Sequence, residues 1–355
     1  MIIIEIYVKS YEIQLKEPFI ISLGKITHAR NVVVKIETDE GLTGYGECSP
    51  FLSINGESTE TCEVVGAYLR QGLLGKDPLK IESCIRIMDD IIYGNSSIKS
   101  AFDIALYDIA SQHAGLPLYK YLGGEQRMLN TDYTVSLSDP QDMVRQAIWI
   151  KDQNFPAIKV KLGDEPEADI NRIKEIRKAV GSSIPLRLDA NQGWDFEGAK
   201  AVLQALENDN IEYCEEPIPR WSFMELQRLS KECSIPIMAD ESCSDSHDAE
   251  RLILLNACPM FNIKLGKSGG IFDALKIIKL GEKHNIDLQI GGFLESRLAF
   301  TASAHLALSS QQVHHCDFDT PMMFVEDPVE GGIQYGKGGS ITVPETIGLG
   351  AKLEL

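Results

Sequence analysis

The pattern of apolar and polar positions divides the chain into two textures. Near the start, IIIEIYV (2–8) and NVVVKIET (31–38) are rich in β-branched residues, and TDEGLTGYGE (38–47) reads as a turn into a further short strand. Residues 58 to 122 shift to helical spacing. IKSAFDIALYDIASQHAG (98–115) repeats its apolar residues every three or four positions and runs into a Gly–Leu–Pro stop. Strands followed by helices predict an α+β unit, with LGGEQR (122–127) as its exit.

Beyond that exit, short apolar runs alternate with helical stretches. Eight runs stand out: DYTVSL (132–137), AIKVKLG (157–163), PLRLDAN (185–191), IEYCEEP (211–217), IPIMADES (235–242), FNIKLG (261–266), IDLQIGG (286–292) and VHHCDFD (313–319). Helical patterns such as EADINRIKEIRKAVG and GGIFDALKIIKLGEKHN lie between them. Eight strand–helix units at so regular a period predict a (β/α)8 barrel. A doubly wound sheet is the competitor, but no GxGxxG loop follows the first run. Residues 321–355 show no clear strand–helix unit and are expected to fold back on the N-terminal unit.

Composition narrows the function classes. The 355 residues carry a formal net charge of −18, with lysine and arginine scattered and no basic tract. That argues against nucleic acid and acidic membranes as partners. No apolar run reaches membrane-spanning length, and MIIIEIYV is too short and too charged for a signal peptide. The eight cysteines form no CxxC pair, so reduced core thiols in a cytoplasmic protein are expected.

Nearly every run ends in polar residues, at the strand end where barrel enzymes place their sites. Asp189, Glu215 and Asp240 close three consecutive runs. Single strand-end acids often cap the following helix. Three converging carboxylates would repel one another without a cation, and oxygen ligands of this kind suit Mg2+. Each Glu–Glu or Asp–Glu pair hides a choice, because alternation turns only one member inward. Glu215 and Asp240 are the expected ligands, with Glu216 and Glu241 as supporting partners and Asn191 beside Asp189.

Lys159 and Lys161 sit two apart in one run, so they share a face, and Lys264 ends a run on the opposite side of the expected barrel. Lys161 and Lys264 would then flank a substrate held on the metal. An ammonium group titrates near about 10.4 and needs neighbouring positive charge to serve as a base near neutrality. Lys159 and Mg2+ would both supply it. A metal with a base on either side fits removal of the proton next to a carboxylate, stabilisation of the enediolate and return of a proton from the opposite face. Pairing a lysine base with Mg2+ is recognised enolase-superfamily chemistry rather than an inference from these residues alone.

The motifs KVK (159–161), RLDANQGW (187–194), EEP (215–217), ADES (239–242), NIKLGKSGG (262–270) and DFD (317–319) together resemble the muconate-lactonizing subgroup of the enolase superfamily, and within it the dipeptide epimerases. The resemblance covers almost the whole chain. It implies a (β/α)7β TIM-like barrel with an α+β capping domain, the cap spanning 1–123 and completed by 321–355, and the barrel spanning 124–320. It implies Mg2+ on Asp189, Glu215 and Asp240, with Lys161 and Lys264 as the acid/base pair and Lys159 at the substrate carboxylate. Thr134 and Gly292 become substrate contacts. Asp317 and Asp319, two apart on the eighth run with no lysine beside them, suit the ammonium of a dipeptide, which lies further from the reacting carbon than that of a free amino acid.

One position departs from the pattern. In relatives that use Ala-Glu, an arginine in a capping-domain loop holds the glutamate side chain. The matching stretch, EPFIISLGKITHARN (17–31), has Gly24 there and Lys25 beside it, among apolar Phe19, Ile20, Ile21 and Leu23. The expected substrate is therefore L-Ala-L-Xaa with a hydrophobic or aromatic Xaa. An L-Ala-D/L-Glu epimerase with Lys25 in the arginine's role is the alternative. A cycloisomerase or o-succinylbenzoate synthase is disfavoured by the two strand-end aspartates, because their substrates carry no ammonium. A sugar-acid dehydratase is disfavoured by the lack of a histidine in IDLQIGG. A non-catalytic, metal-dependent peptide-binding protein is the reading from another class. Homo-oligomerisation is left open.

Overall fold

The computed structural model describes residues 1–22 and 24–354. It opens with an antiparallel sheet in the order β1 (Ile3–Ile21), β2 (Gly24–Thr38), β3 (Thr43–Cys48). Ile6 of β1 is buried in the main core, and Ile13 and Leu15, on the opposite face by alternation, in a second cluster with Ala29, Leu294 and Phe324. Helices α1 (Thr59–Leu73) and α3 (Ser96–His113) pack on this sheet, and α2 (Ile81–Ile91) packs against both of them. A reciprocal capping box between Ser58 and Thr61 starts α1. Nearly all of α3 is buried, which explains why its apolar character runs round the helix rather than along one stripe. The short α4 (Leu118–Tyr121) and β4 (Leu129–Asn130) lead to the second unit.

There, eight parallel strands follow one another in chain order: β5 (Tyr133–Val135), β6 (Ile158–Lys161), β7 (Leu186–Asp189), β8 (Ile211–Glu215), β9 (Ile237–Ala239), β10 (Met260–Lys264), β11 (Asp287–Gly291) and β12 (Val313–Cys316). A parallel bridge between Thr131 and Cys316 joins the two edges of the curled sheet. Helices α5 (Pro140–Asp152), α6 (Pro166–Val180), α7 (Phe196–Ala205), α8 (Phe223–Glu232), α9 (Ser246–Leu255), α11 (Ile271–His284) and α12 (Arg297–Leu308) link the strands, with the one-turn α10 (Leu265–Ser268) directly after β10. β12 is followed by a 3-10 turn, Thr320–Met323, where a regular eighth unit would have a helix. The arrangement is thus (β/α)7β rather than the complete (β/α)8 that counting runs suggests.

The last residues return to the N-terminal half. β15 (Ser340–Thr342) pairs with both β4 and β14 (Gln334–Tyr335), and β13 (Glu330–Gly331) pairs with β16 (Ala351–Lys352). Two buried carboxylates seat the first unit on the barrel. Asp103 of α3 accepts the backbone N–H groups of Ile271 (2.6 Å) and Phe272 (3.3 Å) at the start of α11. Glu47 of β3 accepts from Ser296 N–H (2.9 Å), Ser296 Oγ–H (2.7 Å) and Ala299 N–H (3.0 Å) at the start of α12. Each satisfies donors that a helix leaves unpaired at its N-terminus. The eight cysteines are free, and all but Cys233 are buried. Among the described residues no helix is long and apolar enough to cross a membrane.

Candidate active site

β6 is buried along its whole length, and alternation sends Lys159 and Lys161 to one face. Register then aligns the chemistry. Lys161 lies beside Asp189, and Asp189 beside Glu215, across three adjacent strands. Lys161 Nζ is 2.6 Å from Asp189 Oδ2 and 3.2 Å from Asn191 Oδ1. At the end of β10, Lys264 Nζ is 2.7 Å from Asp240 Oδ2. Both lysines line one cavity together with Asn191, Thr134, Gly292, Asp317 and Asp319. The N-terminal unit roofs it with Phe19, Ile21, Ile26, Phe51 and Ile54. Each lysine abuts an aromatic ring: Lys161 Nζ is 6.0 Å from the centre of Phe19, and Lys264 Nζ 5.0 Å from that of Phe293. A Cβ on Gly292 would come within 2.6 Å of the Phe300 ring and 2.8 Å of the Glu295 carboxylate, so a larger residue there would force those side chains to shift.

The acids at the strand ends are fully buried and arranged as ion pairs. Lys159 Nζ is 2.7 Å from Glu215 Oε2, 3.1 Å from Asp189 Oδ2 and 2.7 Å from Asp317 Oδ2. Burial works against charge on Lys159 and Lys264. The acids outweigh it, Asp317 and Glu215 at Lys159 and Asp240 and Glu215 at Lys264, and raise both ammonium groups above the usual range. Burial alone would raise the Asp189 carboxyl; Lys161 and Lys159 outweigh it and hold that group down at about 2. Among the described residues no three or more His, Cys, Asp or Glu side chains already gather around one metal position.

The donor chemistry nevertheless fits a hard cation. Glu215 Oε2 and Asp240 Oδ1 are buried without a hydrogen bond, although each lies 2.7 Å from a lysine nitrogen. Both oxygens of Glu241 are buried with no partner. Burial, then Asp240 and Glu216, pushes its carboxyl far up. Glu216 turns the other way. Its Oε2 accepts from Asp240 N–H at 2.7 Å and Ser242 N–H at 3.1 Å, so it holds the backbone that carries Asp240.

Asp317 and Asp319 line the cavity, but β12 ends at Cys316, so they are not neighbours on a strand as the run suggests. Backbone bonds fix the segment instead: Asp317 N–H to Ile290 O (3.0 Å) and Phe318 N–H to Thr131 Oγ1 (2.8 Å). Thr134 contributes through its backbone, whose N–H donates to Asp319 Oδ2 at 2.7 Å. Lys159 outweighs burial and holds Asp317 below the usual carboxylate range. Burial and the charge of Asp317 push Asp319 up to about 7.

Four residues expected near the substrate do not line this cavity. Lys159 does not line the cavity; its ammonium is committed to three carboxylates. Ile20 lines a separate cavity of about 670 Å³ beside Tyr133 and Trp149. Gly24 and Lys25 line another outer cavity, of about 390 Å³. Residues 19–26 form the end of a β-hairpin, with Phe19 opposite Ile26, Ile20 opposite Lys25 and Ile21 opposite Gly24. Cross-strand partners share a face, so Lys25 goes with Ile20, away from the cavity, while Gly24 goes with Ile21. Leu23 lies outside the described residues. Sequence reasoning also passed over Lys267, a buried lysine 2.7 Å from Asp240 Oδ1. Its signal was present: a second lysine three positions after Lys264, in KLGK.

Comparison with known proteins bears on the family and the fold. Residues 3–123 match the mandelate racemase/muconate lactonizing enzyme N-terminal domain, and residues 142–354 match the enolase C-terminal domain-like family. The chain is 56% identical over 352 residues to a D-Ala-D/L-Ala epimerase of Cytophaga hutchinsonii, covering 99% of this chain and 96% of that one. It is 38% identical over 353 residues to an L-Ala-D/L-Glu epimerase of Clostridium acetobutylicum, covering 99% and 98%. A solved dipeptide epimerase from Cytophaga hutchinsonii, complexed with Mg and the dipeptide D-Ala-L-Val, superposes with a TM-score of 0.99 at 55% identity, over 100% of this chain and 96% of that one. With both halves matched by these family models, the chain belongs to the enolase superfamily, in its mandelate racemase/muconate lactonizing enzyme branch.

Proposed function

We propose that the chain is a Mg2+-dependent dipeptide epimerase, an isomerase that inverts the α-carbon of the C-terminal residue of Ala-Xaa dipeptides with an apolar Xaa. The observation that carries this reading is the pairing of Lys161 and Lys264 in one cavity with the carboxylates of Asp317 and Asp319. Two bases serve the two configurations of one carbon, and two acids serve an ammonium group. The activity of the Cytophaga relative and the dipeptide in its solved complex support a small apolar C-terminal residue.

Asp189, Glu215 and Asp240 would hold the metal. When bound, Mg2+ supplies the positive charge that orients the substrate carboxylate and favours loss of the adjacent proton. Lys161 takes the α-proton of one epimer and Lys264 that of the other, and the lysine that did not take it delivers a proton to the opposite face. The Oδ2 atoms of Asp317 and Asp319 are held by Lys159 and Thr134, so both acids are in place before an ammonium arrives. Phe19, Phe51 and Phe293 keep water from the reacting carbon. The cavity, about 50 Å³, is well below the roughly 300 Å³ of the smallest pre-formed ligand pockets, so a dipeptide has to displace part of the lining. In this reading residues 1–123 with 321–355 form the cap and 124–320 the barrel, a division supported by the pairing of Leu15 with Phe324 and of Pro117 with Gly348.

The test is incubation of L-Ala-L-Val, D-Ala-L-Val and L-Ala-L-Glu with enzyme and Mg2+ in deuterated water, followed by NMR. Deuterium at the C-terminal α-carbon together with the second diastereomer is expected. Absence of exchange across a panel of Ala-Xaa dipeptides, with Mg2+ shown to bind, leaves the peptide-binding reading in its place.

A further inference from the structure

We infer that Lys267 is a positioning residue for the reaction: it locks Asp240 in the orientation that the metal and Lys264 both require. This rests on the reading of Asp240 as a metal ligand. Lys267 is buried in α10, one turn beyond Lys264. Its Nζ donates to the carbonyl oxygens of Cys243 (2.9 Å), Asn262 (2.9 Å) and Asp240 itself, and lies 2.7 Å from Asp240 Oδ1. An ammonium group has three N–H donors, and three carbonyls use them. Asp240 Oδ1 is therefore attracted by the charge without being hydrogen-bonded, which leaves its lone pairs for a cation.

The other atoms of residue 240 are fixed as well. Its N–H goes to Glu216 Oε2 at 2.7 Å, and its Oδ2 takes the hydrogen bond from Lys264 at 2.7 Å. These contacts differ in place. Lys264 lines the cavity, whereas Lys267 lies outside its lining and faces three backbone carbonyls. It ties the end of β9, through Asp240 and Cys243, to β10 through Asn262. Lys267 thereby keeps Asp240 rather than Glu241 directed at the cation.

A counter-charge alone predicts the opposite of a positioning role, because removing a cation beside the Asp240 carboxylate should tighten Mg2+ binding. The experiment compares Lys267→Met and Lys267→Gln with the wild type, each checked for folding by circular dichroism. Mg2+ affinity is measured by calorimetry. Deuterium exchange at the C-terminal α-carbon is measured for each epimer separately at saturating Mg2+. Positioning predicts Mg2+ binding weakened about tenfold or more, the usual effect of losing a residue that orients a ligand. It also predicts that exchange falls several-fold further for the epimer served by Lys264, identified from the Lys264→Ala variant, than for the one served by Lys161. Unchanged or tighter Mg2+ binding, or equal loss for both epimers, overturns the inference. Failure of both variants to fold also overturns it and assigns the lysine to the framework. A wild type that neither binds Mg2+ nor exchanges the proton counts against the epimerase reading itself.

Discussion

Arginine at position 24 should convert an enzyme that discriminates against acidic C-terminal residues into one that accepts glutamate. In the wild type, the roof of the cavity is apolar, with Phe19, Ile21, Ile26, Phe51 and Ile54. The nearest ammonium groups, Lys161 and Lys264, are already paired with Asp189 and Asp240. A glutamate carboxylate brought there unpaired would lose several kcal/mol of solvation, whereas a valine side chain would gain roughly 1.5–3 kcal/mol from burial. Even with most of the solvation loss relieved by water, about 1.4 kcal/mol remains a tenfold preference, so Ala-Val should exceed Ala-Glu by at least tenfold in kcat/KM. Gly24 lines the adjoining outer cavity but pairs with Ile21, which lines the site, and a Cβ at position 24 would meet nothing within 4 Å. Its φ of +139° makes any side chain strained, at about 1–3 kcal/mol. That strain belongs to the enzyme and cancels when two substrates compete for one variant. A charge-assisted hydrogen bond from Arg to glutamate is worth about 1.5–3 kcal/mol, so Gly24→Arg should shift the Glu/Val ratio by about ten- to a hundredfold. The assay is a competition between Ala-Val and Ala-Glu in deuterated water, read by mass spectrometry. The reasoning is refuted if the wild type already prefers Ala-Glu. If Lys25→Ala then removes that preference, Lys25 reaches the cavity despite its register with Ile20.

Other perturbations test the remaining parts of the site. Lys161→Ala and Lys264→Ala should each abolish epimerisation, while the surviving lysine still exchanges the α-proton of one epimer; near wild-type epimerisation in either variant excludes a two-base mechanism. EDTA should remove activity and Mg2+ restore it, and Asp240→Asn should weaken Mg2+ binding more than Glu241→Gln, with the reverse order showing that Glu241 is the ligand. N-acetylation of the dipeptide removes the ammonium facing Asp317 and Asp319 and should cost ten- to a hundredfold in kcat/KM, corresponding to about 1.5–3 kcal/mol; equal turnover of the acetylated and free peptides would exclude that role. Asp319, raised to about 7, must be ionised to attract an ammonium, so KM should rise as pH falls through that value, and Asp319→Asn should flatten this acid limb. A KM profile unchanged by the substitution would assign the limb to another group.

Much of the architecture is local in origin and so readable along the chain. β-strand alternation has a period of two, and it places Lys159 and Lys161 on one face whatever surrounds them. Recurrence of strand and helix patterns at a near-constant interval specifies the barrel, because each apolar run needs the next to cover its backbone. The acids at the ends of β7 and β8, and just beyond β9, are legible for the same reason. Even the truncated last unit has a local cause: Asp319-Thr-Pro-Met-Met (319–323) turns as a 3-10 segment rather than continuing as a helix.

What depends on distant partners was not legible. Alternation states that one member of Asp240–Glu241 turns inward but not which one. Contacts from Lys264 and Lys267 on β10 and α10, and from Glu216 on the loop after β8, set the orientation of Asp240, and those residues meet only when the barrel curls. The same holds for Asp317 and Asp319, whose convergence comes from Ile290, Thr131 and Thr134 rather than from strand alternation. Position 24 reads as the counterpart of an arginine in a loop. Pairing of β1 with β2 makes it a strand residue opposite Ile21 and carries Lys25 to the other face. A sequence pattern encodes direction relative to its own backbone. Hydrogen bonds and ion pairs between residues 24 to 263 positions apart decide what each side chain finally touches, because a buried charge adopts the orientation in which its partners meet it.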